Sequence, residues 1–151
     1  MRLPATFLLL LLQASLAAPG EPLARSPVRE LQAAATAEGF TASQVVVEGV
    51  VTWADLDAGR YFFVQDGTGG IRVNYAEGSG PATGDQVRVT GLLSSGPFAP
   101  VIEQGSFERL GQGQTPKVMF GSGGGLLNGS YNGEWVETDG WIRTAEMVDA
   151  T

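Results

Sequence analysis

Val45-Val46-Val47-Glu48-Gly49-Val50-Val51-Thr52-Trp53, followed by Arg60-Tyr61-Phe62-Phe63-Val64-Gln65-Asp66-Gly67-Thr68-Gly69-Gly70-Ile71-Arg72-Val73, decides the fold of this chain. Both runs are rich in β-branched and aromatic residues, and the second contains an Asp-Gly/Gly-Gly turn. A glycine stands inside the alternation of the first run, where it lets a strand bend sharply while alternate side chains point inward. Val45, Val47, Val51 and Trp53 alternate with Gln44, Glu48 and Thr52, and Gly49 marks the bend. Ala54 to Gly59 reads as a turn, Arg60 to Asp66 as a second strand and Ile71 to Tyr75 as a third. In the third, Ile71, Val73 and Tyr75 share one face, with Arg72 and Asn74 opposite. Gln86 to Leu93 repeats the valine-x-valine-x-glycine order as a fourth strand, and a less regular fifth lies within Pro100 to Leu110.

Five strands with bending glycines in the first and fourth predict an all-β chain, a small OB-like five-stranded Greek-key barrel. A small sandwich or an open six-stranded sheet is the alternative. Ala76 to Asp85 is too rich in glycine and proline to supply the helix that many such barrels carry after the third strand.

Upstream, Ser26 reads as an N-cap, Pro27 as the first helical residue and Gly39 as a C-cap glycine, so Val28 to Glu38 is predicted to be a short helix. Val28, Leu31 and Ala35 lie on one of its faces. At the start, Arg2, the apolar run Thr6 to Leu12 and Ser15-Leu16-Ala17 have the pattern of a signal peptide. The apolar run is much shorter than the about 20 residues that a membrane helix needs. The expected organisation is therefore a signal peptide over 1–17, linker and short helix over 18–42, and barrel over 43–112. A glycine-rich linker over 113–133 and the start of a further module over 134–151 complete it.

That last assignment rests on an internal echo. Glu134-Trp135-Val136-Glu137-Thr138-Asp139-Gly140-Trp141-Ile142-Arg143-Thr144-Ala145 matches the first strand at an offset of 91 residues, with Val45 on Val136, Gly49 on Gly140 and Val51 on Ile142. An isolated strand exposes unpaired edges. Either it docks on the first barrel or it is the first strand of a second OB-like module in a longer protein; the second is the reading adopted.

The chain of 151 residues has neither cysteine nor histidine and a formal charge of −7. The missing side chains remove thiol nucleophiles, histidine-based triads and most zinc sites. Export without disulfides fits a bacterial periplasmic or extracellular setting. Between Ser43 and Gln112 eight acidic residues face four basic ones, which argues against a nucleic-acid partner, because a phosphate-binding surface needs a cationic excess.

Three local features invite a functional reading. Asp66-Gly67-Thr68-Gly69-Gly70 could present N–H groups to an anion, but no lysine-led helix follows, and a tight hairpin explains the glycines. Asp55-Leu56-Asp57-Ala58-Gly59 begins like a calcium loop but lacks its later ligands, so no metal and no cofactor are expected. Trp53, Tyr61, Phe63 and Tyr75 remain as candidate ligand-binding residues on the face of the first three strands. With Phe62 and Val64 inward, Tyr61 and Phe63 form an outward stacking pair, unless a second layer of structure covers them. No pair of carboxylates has a spacing that points to catalysis.

The segments Val28-Arg29-Glu30-Leu31, Val47-Glu48-Gly49-Val50-Val51-Thr52, Phe63-Val64-Gln65-Asp66-Gly67-Thr68-Gly69-Gly70-Ile71, Gly84-Asp85-Gln86-Val87-Arg88-Val89-Thr90-Gly91, Phe98-Ala99-Pro100-Val101-Ile102 and Glu134-Trp135-Val136-Glu137 resemble the exported N-terminal region of bacterial two-component sensor histidine kinases and related signalling proteins. The resemblance implies OB-like modules outside the cytoplasm, a membrane helix and cytoplasmic signalling domains beyond them, and a sensory role. The shorter Val-Gln-Asp-x-Thr-Gly-Gly-Ile pattern also looks like OB-folds of synthetase and secreted-nuclease type. No membrane helix, kinase core or phospho-acceptor histidine occurs in this sequence. The expected function is thus a non-enzymatic binding or sensory module whose partner is a small ligand or a protein. The alternatives are an accessory domain of a secreted nuclease or hydrolase, or a free-standing OB-fold binding protein.

Overall fold

The computed structural model describes residues 24–56, 59–76 and 78–145. The signal-peptide segment 1–17 and Asp57 of the candidate calcium loop lie outside them. Helix α1 (Val28–Thr36) precedes five long strands, β1 (Ser43–Asp55), β2 (Tyr61–Gln65), β3 (Gly70–Asn74), β4 (Asp85–Ser94) and β5 (Val101–Gln112). A smaller unit follows, comprising β6 (Met119–Phe120), α2 (Gly123–Leu127) and β7 (Val136–Glu137). Among the described residues, no helix is long and apolar enough to cross a membrane.

The five long strands close into a barrel in the order β1-β2-β3-β5-β4. β1 makes the closure possible by serving two neighbours in turn: Ser43 to Val50 pairs antiparallel with β4, and Val50 to Asp55 pairs antiparallel with β2. Gly49 sits at the handover. A Cβ there would lie 2.5 Å from the Gln65 carbonyl oxygen, so only glycine allows the two backbones to come so close. Gly91 does the same for β4, where a Cβ would meet Ile102 at 2.5 Å beside a shift of register with β5. The remaining seam is a short parallel pairing of Arg72 and Val73 with Val101 and Ile102.

Phe62, Val64, Ile71, Val73, Val87, Val89 and Ile102 fill the interior. Val28, Leu31 and Ala35 of α1, the face expected from the sequence, belong to the same core. The helix differs from expectation at its start. Pro27, not Ser26, is the capping residue, and no side chain of its own segment caps it. Instead the Val28 N–H donates to Asp66 Oδ2 at 3.0 Å, and the Ser26 N–H donates to the Val46 carbonyl at 2.9 Å. The cap comes from the β2–β3 turn, a tertiary substitute for the local one.

Strand β1 also departs from the simple alternation, which placed Trp53 with the inward valines. Val51 faces Val64 and Trp53 faces Phe63, leaving Thr52 as the extra residue of a β-bulge. The bulge reverses the side-chain phase, burying Thr52 and turning Trp53 outward.

The segment expected to be a plain linker, 113–133, contains β6 and α2, the latter capped by Ser122, whose side chain accepts the Gly125 N–H at 3.2 Å. The predicted strand from Glu134 to Ala145 is reduced to Val136 and Glu137, paired in parallel with Met119 and Phe120. Residues 138–145 adopt no regular structure. A strand persists only where a partner takes its hydrogen bonds, and β6 offers two residues.

Candidate functional site

The bulge at Thr52 creates the outer aromatic face. Trp53 of β1, Phe63 of β2 and Arg72 of β3 stand in register across three adjacent strands, and Tyr61 pairs with Asn74 one step along. Ring centroids lie 5.5 Å apart for Trp53–Tyr61, 6.3 Å for Trp53–Phe63 and 6.0 Å for Tyr61–Phe63, within the range of favourable aromatic contacts. The Arg72 guanidinium carbon sits 3.9 Å from the centroid of the Tyr61 ring, a cation–π contact that holds the side chain across the sheet. Trp53 remains 48% exposed, and Tyr61 and Phe63 are half-buried.

Three of the four residues singled out from the sequence are therefore together on one surface. Tyr75 is not. It is 6% exposed and packs inside the barrel against Phe62 and Phe107, at centroid distances of 5.9 and 6.4 Å. Its place follows from the alternation of β3, which puts Tyr75 on the side of Ile71 and Val73; the same parity sends Arg72 and Asn74 outward.

Sequence reasoning missed the polar half of this face. Arg72 Nε donates to Asn74 Oδ1 at 2.8 Å, and Asn74 Nδ2 donates to Glu103 Oε2 of β5 at 3.0 Å. Beside this chain of contacts lies a cleft of about 420 Å³. Phe63, Arg72 and Asn74 line it together with Phe98 and Pro100 of the β4–β5 loop and with Asn132 and Gly133. Phe98 is fully exposed. The outward parity of Arg72 and Asn74 was legible, but their proximity to Glu103 depends on the parallel β3–β5 seam.

The Asp66 turn is structural. The Asp66 carboxylate accepts from the N–H groups of Val28, Thr68 and Gly69 and from the Thr68 hydroxyl. Burial alone would raise this carboxyl, but the four donors outweigh it and hold its pKa below the ordinary aspartate value. The turn's own carboxylate thus occupies N–H groups that an anion would need. Asp85 is a second such anchor. Although fully buried, it is held below the usual range by Arg109, the Ala82 N–H and Gln112.

A larger open cleft of about 1130 Å³ lies between the α1 end of the barrel and segment 114–120. Both arginines of its lining are engaged internally, Arg25 with Glu48 at 2.8 Å and Arg29 with the Thr68 carbonyl at 3.2 Å, and Lys117 is the third cation along it. Among the described residues, no group of three or more acidic side chains is placed to hold a metal ion. No family model matches this chain, and no curated protein matches it.

Proposed function

We propose that this chain is an exported, non-catalytic binding or sensory module built on an OB-like Greek-key barrel, the periplasmic front end of a bacterial signal-transduction protein. The strand order β1-β2-β3-β5-β4, with β1 shared between two neighbours, supports the OB-like reading. One observation carries the binding reading: Trp53, Tyr61, Phe63 and Arg72 form a continuous outer surface over three strands instead of being covered by α1. Covering exposed aromatic surface of this kind releases free energy, which is why such patches mark ligand or partner sites.

A route for signal transmission accompanies the face. The Trp135 N–H donates to Gln65 Oε1 at 2.9 Å, and Gly133 lies against Gly70 so closely that a Cβ on either would collide with the other's backbone. The same Gly70 and Gly133 line the cleft beside Phe63. A ligand seated there would bear on the joint between the barrel and the segment that follows. The echo of β1 in residues 134–145 supports reading that segment as the start of a second module.

The binding reading is tested by two-dimensional NMR of the isotope-labelled chain against separate probes: neutral hexasaccharides, a ten-residue oligothymidylate and a proline-rich decapeptide. Shifts centred on Trp53, Phe63 and Arg72 for one probe, with affinity lowered at least tenfold by Trp53→Ala, are the expected result. Binding that maps elsewhere, or that Trp53→Ala leaves unchanged, would overturn it.

A further inference from the structure

We infer that the cleft between the outer face of β3 and the β4–β5 loop takes an uncharged sugar unit of a glycan. This inference rests on the binding reading above and names the ligand class for that face. Its volume, about 420 Å³, is at the small end for a ligand pocket and matches a short segment better than a large cofactor.

The lining chemistry selects the class. Phe63 and Phe98 supply flat apolar surfaces, suited to the C–H face of a pyranose ring. Arg72, Asn74 and Glu103 supply, in one hydrogen-bonded row, a guanidinium donor, an amide that donates and accepts, and a carboxylate that only accepts. Adjacent sugar hydroxyls both donate and accept, so they satisfy all three. The one cation and the one anion of this row balance each other, which matches an uncharged ligand.

Competing classes fit less well. A polyanion would meet Glu103 within the site of a chain whose net charge is −7, with Arg72 as the one cation of the lining to neutralise successive phosphates. A peptide that binds as an added strand needs a free sheet edge, whereas β2 and β3 are each paired on both sides. A polyproline helix offers carbonyl acceptors but no N–H at proline, so it would give the Glu103 carboxylate no donor beyond the Asn74 amide it already has.

The experiment is a calorimetric and NMR titration of the chain with cello-, malto-, manno- and xylohexaose, beside the oligothymidylate and the proline-rich decapeptide. The expected result is saturable binding of at least one hexasaccharide, with shifts at Phe63, Arg72, Asn74 and Phe98. Asn74→Ala should weaken it about tenfold, the effect of one lost hydrogen bond to the ligand. Glu103→Gln, which keeps an acceptor and the shape, should weaken it less. Should only the oligothymidylate or the decapeptide bind at this face, the sugar assignment falls while the binding face stands. If no probe of any class perturbs the face, both are overturned. Unfolding midpoints of the two variants, compared with the parent, separate lost contacts from lost fold.

Discussion

Strand β1 and its echo ninety-one residues later carry the same pattern and reach opposite ends. In β1, Val50 and Val51 are 7% and 0% exposed, enclosed by β2 and β4. Their counterparts, Trp141 and Ile142, are 96% and 89% exposed and belong to no strand. Gly49 is wedged against the Gln65 backbone, whereas Gly140 has no neighbour among the described residues within 4 Å of where a Cβ would stand. A valine-rich run with a central glycine is therefore a capacity for strand formation, realised only when other strands satisfy its backbone and cover its side chains.

Substitution of the two glycines should separate the two regions most strongly. Gly49→Ala should destabilise the barrel by about 3 kcal/mol, the upper part of the usual overpacking range, since backbone rather than a flexible side chain is in the way. Gly140→Ala should stay within about 0.5 kcal/mol of the parent, as a surface change. Urea unfolding of both variants measures the difference. An equally large loss at Gly140 would mean that the echo is packed in solution.

A smaller difference is expected at the apolar pair. Val51→Ala removes two methyl groups from a closed core and should cost roughly 2 kcal/mol, whereas Ile142→Ala should change stability by less than about 0.5 kcal/mol. The same unfolding assay reads both, and similar values at the two sites would remove the contrast.

The smallest expected effect is electrostatic and appears only in acid. Asp66 and Asp85 have folded-state pKa values below the ordinary aspartate value of 3.8. Between those lowered values and 3.8 the unfolded chain binds more protons than the folded one, so stability rises with pH through that window. It is fully present above the unfolded value and is lost as pH falls through the folded ones. Asp85→Asn should flatten this slope in thermal unfolding curves measured across the acid range. A slope unaltered by Asp85→Asn would exclude the contacts of the buried Asp85 carboxylate with Arg109, Gln112 and the Ala82 N–H as its source.

Much of this architecture was legible one residue at a time. The period of two, the bending glycines at 49 and 91, the turn at Asp66-Gly67 and the apolar face of α1 are consequences of backbone geometry and side-chain parity, which neighbouring residues largely determine. Parity also sent Tyr61, Phe63 and Arg72 outward, and the face it gave Tyr75, shared with Ile71 and Val73, is the inner one, at odds with a place in the ligand-binding set. The tertiary structure alone decided the rest. It placed the bulge at Thr52 that turns Trp53 outward, the cap that Asp66 gives α1 from 38 residues away, and the parallel seam that brings Glu103 beside Asn74. It also left the echo without the strands that bury β1. These outcomes depend on contacts between distant segments, whose free energy is gained only when the chain has closed the intervening loops, so no local pattern could have specified them.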